Sequence, residues 1–156
     1  MKLSEYVEPD LVVTDVRPGD IGEILSQLVA PLSAHPSGPA MGAVLEALVA
    51  REALLSTGIG QGVAVPHAIS ENVDATKLVV GVARHGVEFH AIDGAPVHVF
   101  FVLISPPERQ AKATHIKLLA RIARLARHSQ LVSMLRECEE PQQIVDGIAR
   151  YEREHI

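Results

Sequence analysis

An almost uninterrupted apolar segment, residues 97–104, constrains the fold more than any other feature of the sequence. The segment, VHVFFVLI, is rich in Val and Phe, which favour β-strands. A half-buried strand alternates apolar and polar residues, whereas this one is apolar at nearly every position, so both of its faces must be covered. It is far shorter than the roughly 18 residues that a membrane-spanning helix needs. The segment therefore predicts a buried strand in a sheet packed between two layers.

Helical periodicity dominates the segments on either side of the strand region. Residues 20–30 and 41–52 each carry an apolar stripe with the i, i+3, i+4 and i+7 spacing of an amphipathic helix. Asp20 opens the first stripe as a helix N-cap, and we expect Pro31 to end that helix. The last third of the chain carries three more stripes, and Pro141 suits the first turn of the terminal helix.

Shorter apolar runs predict further strands at residues 63–65, 78–82 and 87–89, and residues 33–39 have the composition of a loop. The elements do not alternate as strands and helices do in a doubly wound fold. We predict an α/β protein in which a mixed β-sheet is sandwiched between α-helices. Its 156 residues suit one domain, residues 1–156, with a core of its own.

Composition excludes several classes of function. The formal net charge of −5 argues against nucleic acid or an anionic membrane as the main partner. Aromatic residues make up 3% of the chain, too few for a base-stacking surface. A single cysteine, Cys138, excludes an internal disulfide and a Cys-rich zinc site, and it fits a reducing compartment. We find no signal segment in the N-terminal residues, so we expect a cytoplasmic protein without direct membrane insertion.

The stretch EALLSTGIGQGVAVPHA, residues 52–68, holds the main candidate for chemistry. It leaves a helix, passes three glycines and enters a short strand, which we expect to stop at Pro66 and to present His67 at a chain reversal. One interpretation of His67 is a polar residue bonded to nearby backbone. The other is a nucleophile, because a neutral imidazole, with a pKa of about 6.5, accepts a phosphoryl group near neutral pH.

A phosphoryl site also needs cationic or N–H donors for the phosphoryl oxygens, and Arg51 and His115 are the candidates. A helix running in and a strand running back across the glycine turn would bring Arg51 to His67. We expect Thr114 to cap the long helix, which would place His115 in its first turn beside free backbone N–H groups. The alternatives are a solvated arginine at a helix C-terminus and a polar histidine near a cap.

Other motifs indicate structure rather than chemistry. Gly58, Gly60 and Gly62 run from helix to strand, the reverse of a dinucleotide-binding fingerprint, and we expect them to supply positive φ angles. The remaining histidines have no metal-ligand spacing, so we expect no metal site. The long helix carries a basic stripe that is typical of a solvated face and consists of Lys117, Arg121, Arg124 and Arg127.

Together these residues resemble a known family. Glu52, followed by IGQGVAVPHA at residues 59–68, is similar to the phosphorylation-site signature of phosphotransferase-system enzyme IIA domains of the fructose/mannitol type, which include the nitrogen-regulatory IIA proteins. Further similarity lies in residues 51–60, in FHAID at residues 89–93 and in THI at residues 114–116. The resemblance covers nearly the whole chain.

The resemblance implies a role for each candidate residue. His67 would be the phosphorylated nucleophile, and His115 and Arg51 would bind the phosphoryl oxygens and assist transfer. The phosphoryl group would come from the phosphocarrier HPr, charged by enzyme I from phosphoenolpyruvate, and would pass to a IIB domain or subunit. The implied fold is a mixed sheet sandwiched by helices, and neither a cofactor nor a metal is implied.

The resemblance leaves the physiological role open. One alternative is sugar uptake, and another is a regulatory module whose phosphorylation state controls a transporter or a kinase through a charge change at an interface. A third is a binding domain that is never phosphorylated, against which the presence of His67, His115 and Arg51 argues. The sugar and the oligomeric state, a homodimer included, are also left open.

Overall fold

The computed structural model describes residues 1–34 and 41–155, in which helices lie on both sides of one β-sheet. The helices in this part of the chain are α1 (Ile21–Ala34), α2 (Met41–Leu54), α3 (Arg109–Ala126), α4 (Ser129–Glu137) and α5 (Pro141–His155). The strands are β1 (Val12–Val13), β2 (Gly58–Gly60), β3 (Val63–Ala64), β4 (His67–Ile69), β5 (Lys77–Val87) and β6 (Val97–Ser105). Short 3₁₀ turns at Leu3–Glu5 and Pro9–Leu11 precede β1. Within the described ranges, no helix is both long and apolar enough to cross a membrane.

The sheet is mixed, with the spatial order β1-β5-β6-β3-β2 and with β4 also paired to β6. The longest pairing in the sheet is the antiparallel one between β5 and β6, which runs from Lys77 opposite Ile104 to Val87 opposite Val97. Both β3 and β4 run parallel to β6 on its other side, and β2 forms an antiparallel hairpin with β3 at the edge. The apolar strand predicted from sequence is therefore the central strand.

Alternate residues of β6 belong to two separate cores. Those facing α3, α4 and α5 are Val99, Phe101 and Leu103. Those facing α1 and α2 are Phe100, Val102 and Ile104. All six side chains are at most 1% exposed, and full burial of such a side chain stabilises the fold by about 1.5–3 kcal/mol. The predicted mixed sheet between two helical layers is confirmed.

The first helix extends further than the sequence predicted. Pro31 lies inside α1, which continues to Ala34 instead of ending at the proline. A proline inside a helix removes one N–H donor and crowds the carbonyl four residues earlier, but the next residue, Leu32, is completely buried against the core of α1 and α2. Burial of Leu32 therefore favours one more helical turn. Of the loop predicted at residues 33–39, the first two residues belong to α1, and residues 35–39 lie outside the described part of the chain.

Two predictions about the strands are wrong in detail. Residues 87–89 do not form a strand of their own, because Val87 ends β5 after an irregularity in its pairing with β6. The chain does not reverse after Pro66 either. It continues as β4, parallel to β6, and the Pro66 carbonyl accepts the Leu103 N–H at 2.9 Å. Proline lacks a backbone N–H but keeps its carbonyl, so Pro66 interrupts the strand without ending its pairing.

Candidate functional site

The candidate site lies where β4 pairs with the C-terminal end of β6. His67 is opposite Leu103, and Ile69 is opposite Ser105. Side chains alternate between the two faces of a sheet, so residues two apart on β6 share a face. Leu103 belongs to the core beneath α3, α4 and α5, and Ser105 therefore faces the same helical layer. This register directs His67 and Ser105 towards α3, the helix that carries His115.

His67 has a defined tautomer. Its Nδ1 lies 2.8 Å from the carbonyl oxygen of Val65. A carbonyl oxygen only accepts hydrogen bonds, so Nδ1 must carry the proton and donate it. The lone pair of the neutral ring then resides on Nε2. The side chain is half-buried.

His115 reaches the site from a different position in its helix than predicted. α3 begins at Arg109, with Glu108 as its N-cap, so His115 is in the second turn and Thr114 is not a cap. The free N–H groups of a helix are confined to its first turn, and the expected backbone N–H donors beside His115 are therefore absent from this arrangement. What His115 supplies to the site is its ring, which is 5% exposed.

The two imidazole rings lie side by side. Their centroids are 5.8 Å apart and their planes are inclined by 55°. The pKa of His115 falls from 6.5 to about 4, first because burial disfavours the charged ring and second because His67 is nearby. His115 is thus neutral at neutral pH and carries a single ring proton. A phosphoryl group attached to one ring is within reach of a hydrogen bond from the other.

Sequence analysis did not find the groups that hold His115. Its Nδ1 lies 2.7 Å from the hydroxyl of Ser105, which in turn lies 3.0 Å from the hydroxyl of Thr76. Ser105 is completely buried at the end of β6, and Thr76 is half-buried directly before β5. The sequence did contain one signal, a serine at the end of a strand predicted to be buried. Because buried hydroxyls are normally hydrogen-bonded, this serine could have been expected to have a polar partner. Indeed, no buried side-chain nitrogen or oxygen lacks a partner among the described residues.

Arg51 forms no hydrogen bond with either histidine of the site in the described part of the structure. It is in the last turn of α2, which packs against β4 from the face opposite α3. Its guanidinium Nη1 donates a hydrogen bond to the carbonyl of Leu55 at 2.8 Å. The structure thus brings the two histidines together and leaves the arginine at the end of its helix.

The glycine stretch forms the hairpin of β2 and β3 that leads into the site. Gly60 and Gly62 have φ angles of 93° and 81°, as the sequence predicted, and they flank Gln61 where β2 turns into β3. Gly58, for which a positive φ was also predicted, does not have one, and glycine is needed there because a Cβ atom would lie 2.7 Å from the Cβ of Ala91. Glycine thus permits both the turn and the close approach of a neighbouring segment.

A buried carboxylate fixes the start of the same hairpin. Glu52, 8% exposed at the end of α2, accepts hydrogen bonds from both the backbone N–H and the hydroxyl of Thr57, each at 2.7 Å. The Thr57 carbonyl in turn accepts the Val65 N–H at 3.0 Å. Val65 is the residue whose carbonyl orients His67. Glu52 is therefore linked to His67 through three successive contacts.

The remaining polar residues have structural partners. His98, in β6, lies with Nδ1 3.1 Å from the carbonyl of Ala83. Arg121 of the predicted solvated stripe is only 21% exposed and pairs with the buried carboxylate of Glu152 at 3.2 Å, so the stripe is not uniformly solvated. In residues 1–34 and 41–155, His, Cys, Asp and Glu side chains form no group of three that could hold a metal ion.

Comparison with known proteins agrees with this geometry. A family model described as phosphoenolpyruvate-dependent sugar phosphotransferase system, EIIA 2, matches residues 5–151. The chain is 32% identical over 149 residues to a nitrogen regulatory protein of Bradyrhizobium diazoefficiens, covering 96% of this chain and 95% of that protein. It is 27% identical over 153 residues to the fructose-specific EIIABC component of Bacillus subtilis, covering 98% of this chain but only 24% of that longer protein.

A solved structure shares the fold over nearly its full length. The nitrogen regulatory protein IIA-Ntr of Neisseria meningitidis superposes with a TM-score of 0.83 at 27% identity. The match covers 94% of this chain and 98% of that protein. The chain therefore matches a protein named as a fructose-specific component of the phosphotransferase system and proteins named as nitrogen regulatory.

Proposed function

The chain belongs to the phosphoenolpyruvate-dependent sugar phosphotransferase system EIIA 2 family, and from this we propose that it is a cytoplasmic phosphocarrier acting through His67. Members of this family are phosphotransfer components. In our proposal His67 accepts a phosphoryl group from phospho-HPr and passes it to a IIB component. The protein is then a phosphotransferase with a phosphohistidine intermediate.

The observation that carries this proposal is the hydrogen bond from His67 Nδ1 to the Val65 carbonyl at 2.8 Å. It fixes the proton on Nδ1 and leaves the Nε2 lone pair as the nucleophile. Because Nε2 carries no proton in this tautomer, no separate base is needed to activate it. Because the Nδ1–H bond survives the reaction, the carbonyl also stabilises the positive charge that the ring gains when Nε2 is phosphorylated.

The transfer step conserves atoms and electrons. The Nε2 lone pair of His67 forms a bond to phosphorus while the bond between phosphorus and the donor's nitrogen breaks, and that nitrogen recovers its electron pair. The reverse exchange passes the phosphoryl group to the acceptor. The reaction involves no redox change and little covalent chemistry by the protein, so positioning and charge stabilisation determine its rate.

Two neighbouring groups supply this stabilisation. His115, neutral because burial lowers its pKa to about 4, donates a hydrogen bond to a phosphoryl oxygen. In our proposal the Arg51 guanidinium exchanges the Leu55 carbonyl for a phosphoryl oxygen during transfer, a task that suits its planar set of N–H donors. The two donors approach from opposite layers, which suits a group that must be held on two sides.

The surface around the histidines supports a protein as the partner rather than a small molecule. Ile69 is 41% exposed two residues after His67, and Ile116 is 67% exposed directly after His115. Exposed apolar side chains that flank a reacting group are typical of protein interfaces. The nucleophile is thus presented on a surface that another protein can cover.

A second candidate is the nitrogen-regulatory type, in which phosphorylated and free His67 select different binding states of a transporter or kinase. It is favoured by the near full-length match to the Bradyrhizobium protein and by the TM-score of 0.83 with the Neisseria protein. Phosphorylation adds about −1.5 to −2 charge at neutral pH and would act as a local switch at the interface. Both candidates use the same histidine.

The proposal is tested by incubating the protein with enzyme I, HPr and labelled phosphoenolpyruvate. We expect an acid-labile phosphoryl adduct that is lost in His67→Gln and retained in His85→Ala, a matched change at an exposed histidine. Arg51→Gln should slow labelling about tenfold, as expected for loss of one charged donor. Label that persists in His67→Gln would contradict the assignment.

A chase distinguishes the two candidates. Phosphorylated protein is mixed with purified IIB, and the loss of label from His67 is followed in time. Rapid transfer to IIB supports the role in sugar uptake. Label that stays on this chain, with phosphorylation-dependent binding to a purified transporter or kinase, supports the regulatory role.

A further inference from the structure

The hydrogen-bond chain behind His115 can be arranged in two ways. It consists of His115 Nδ1, Ser105 Oγ and Thr76 Oγ1, at successive distances of 2.7 and 3.0 Å. A hydroxyl has one proton to donate and two lone pairs to accept with. In one arrangement Thr76 donates to Ser105 and Ser105 donates to Nδ1. In the other, Nδ1 donates to Ser105 and Ser105 donates to Thr76.

The two arrangements place opposite groups at the reaction centre. When Ser105 donates to Nδ1, the single proton of the neutral ring is on Nε2, which then presents an N–H. When Nδ1 donates, Nε2 presents a lone pair. A phosphoryl group has only acceptor oxygens at this position, so the first arrangement attracts it and the second repels it.

We propose that Ser105 and Thr76 are positioning residues that hold His115 in the tautomer with its proton on Nε2, where it donates to the phosphoryl group on His67. This inference rests on the proposed function and extends it to two residues outside the reacting pair. Ser105 donates a hydrogen bond to the unprotonated Nδ1. His115 therefore remains neutral while its Nε2–H is available as a donor.

The placement of the two hydroxyls supports this role. Ser105 is completely buried, and its own backbone carbonyl accepts the Ser70 N–H at 2.9 Å, which fixes the residue at the end of β6. Thr76 directly precedes β5, whose first residue is opposite Ile104, so the main sheet pairing brings Thr76 beside Ser105. The geometry is therefore set by the sheet rather than by a mobile loop.

Burial makes the tautomer matter. A protonated His115 would donate from both nitrogens, and Ser105 could only accept. Because the ring is 5% exposed, the charged form is disfavoured and one nitrogen must lack a proton. A partner on one histidine nitrogen generally sets the protonation of the other, and here that partner is Ser105, which donates to Nδ1 when it accepts from Thr76.

The test compares Thr76→Val, which removes the hydroxyl at constant shape, with Thr76→Ser, which keeps it. Thr114→Val is the matched control, since Thr114 adjoins His115 and its hydroxyl is not in the chain of contacts. The protein is labelled with ¹⁵N-histidine, and the ring nitrogens of His115 are recorded with and without phosphorylation. Labelling rates with phospho-HPr are measured in parallel.

We expect wild type, Thr76→Ser and Thr114→Val to show the Nε2–H tautomer. Thr76→Val leaves Ser105 able to donate to Nδ1 but removes the hydroxyl that donates to Ser105, so it should weaken the bond to Nδ1, change the Nδ1 chemical shift without changing the tautomer, and slow phosphorylation about threefold. Ser105→Ala, which removes the donor itself, should slow it about tenfold. A wild-type His115 with its proton on Nδ1 would overturn the inference. Unchanged His115 nitrogen shifts in Thr76→Val, together with a wild-type rate, would overturn the inference even if Ser105→Ala does not fold. If wild-type protein takes no label, the proposed function fails, while the nitrogen spectra of the unphosphorylated variants still test the tautomer.

Discussion

Two buried polar clusters lie beneath α3, and they differ in how many hydrogen-bond arrangements each allows. In one, the Glu152 carboxylate accepts from the backbone N–H groups of Leu3 and Ser4 at 2.7 and 2.8 Å and from Arg121 Nε at 3.2 Å. In the other, His115 and two hydroxyls form a chain with no charged member at neutral pH. Every contact of the first has one possible donor, whereas the second can run in either direction.

The difference separates a structural cluster from the one that we propose takes part in phosphoryl transfer. Glu152 joins the N-terminal 3₁₀ turn to α5 and α3, and the direction of its three hydrogen bonds cannot change, because a carboxylate only accepts. The hydroxyls of the His115 cluster can each donate or accept, so the direction of that chain sets which ring nitrogen carries the proton. In our proposal Thr76 and Ser105 hold the direction that leaves the proton on Nε2.

The largest effect should come from His115→Ala, which removes the donor of the His115 cluster. We expect the rate of phosphoryl transfer from phospho-HPr to fall about 10²–10³-fold, because removal of one transition-state donor typically has this effect. The rate is measured by rapid quench with labelled phosphoenolpyruvate. A rate within twofold of wild type would show that His115 does not assist transfer and that its cluster, like that of Glu152, has only a structural role.

Glu152→Gln should lower the stability of the protein and leave its transfer rate unchanged. The new amide places a donor where only acceptors fit, so one of the three donors loses its partner, and the charge opposite Arg121 is lost as well. We expect the free energy of unfolding to fall by about 2–4 kcal/mol, with the transfer rate of the folded protein unchanged. Urea denaturation measures the first quantity. An equal fall in transfer rate at a temperature where the variant is fully folded would show that the two clusters are coupled.

The pH dependence of stability gives a smaller effect that is specific to the His115 cluster. The pKa of His115 is lowered from 6.5 to about 4 in the folded state, so between these values the unfolded chain binds more protons. Stability from this group is therefore full above pH 6.5 and decreases as the pH falls towards 4. The decrease is about 3 kcal/mol at most. Urea unfolding between pH 7 and 4.5 should show it in wild type and not in His115→Asn.

The parts of the fold that depend on periodicity were predictable from sequence. The apolarity of residues 97–104 predicted a strand covered on both faces, and the helical stripes predicted the layers that cover it. The start of α3 was not predictable in this way, because residues 109–113, RQAKA, have no large apolar side chain and carry no stripe. They favour helix by propensity alone, which a search for apolar faces misses.

The candidate site was predictable only as far as local sequence determines it. His67 follows from the glycine stretch and His115 from the helix that follows the central strand, and the structure brings their rings together. Ser105 and Thr76 are separated by the whole of β5 and β6, and only the register of that antiparallel pair places their hydroxyls in contact. Arg51 illustrates the reverse case, since its spacing suggested contact with His67, whereas its helix ends on the other side of the sheet.

The parallel pairing of β4 with β6 also has a consequence for the order of folding. β5 and β6 form an antiparallel pair that closes between Val87 and Val97, so Thr76 and Ser105, 29 residues apart, can meet by successive pairing from that end, and α3 follows β6 directly. His67 and Leu103, 36 residues apart, pair in a parallel register with β5 between them in sequence, so no short turn can start their pairing, and such non-local pairing is the slower kind. We therefore expect a refolding chain to regain its helical circular dichroism before it regains the capacity to accept phosphate, with the nucleophile the last part of the site to arrive.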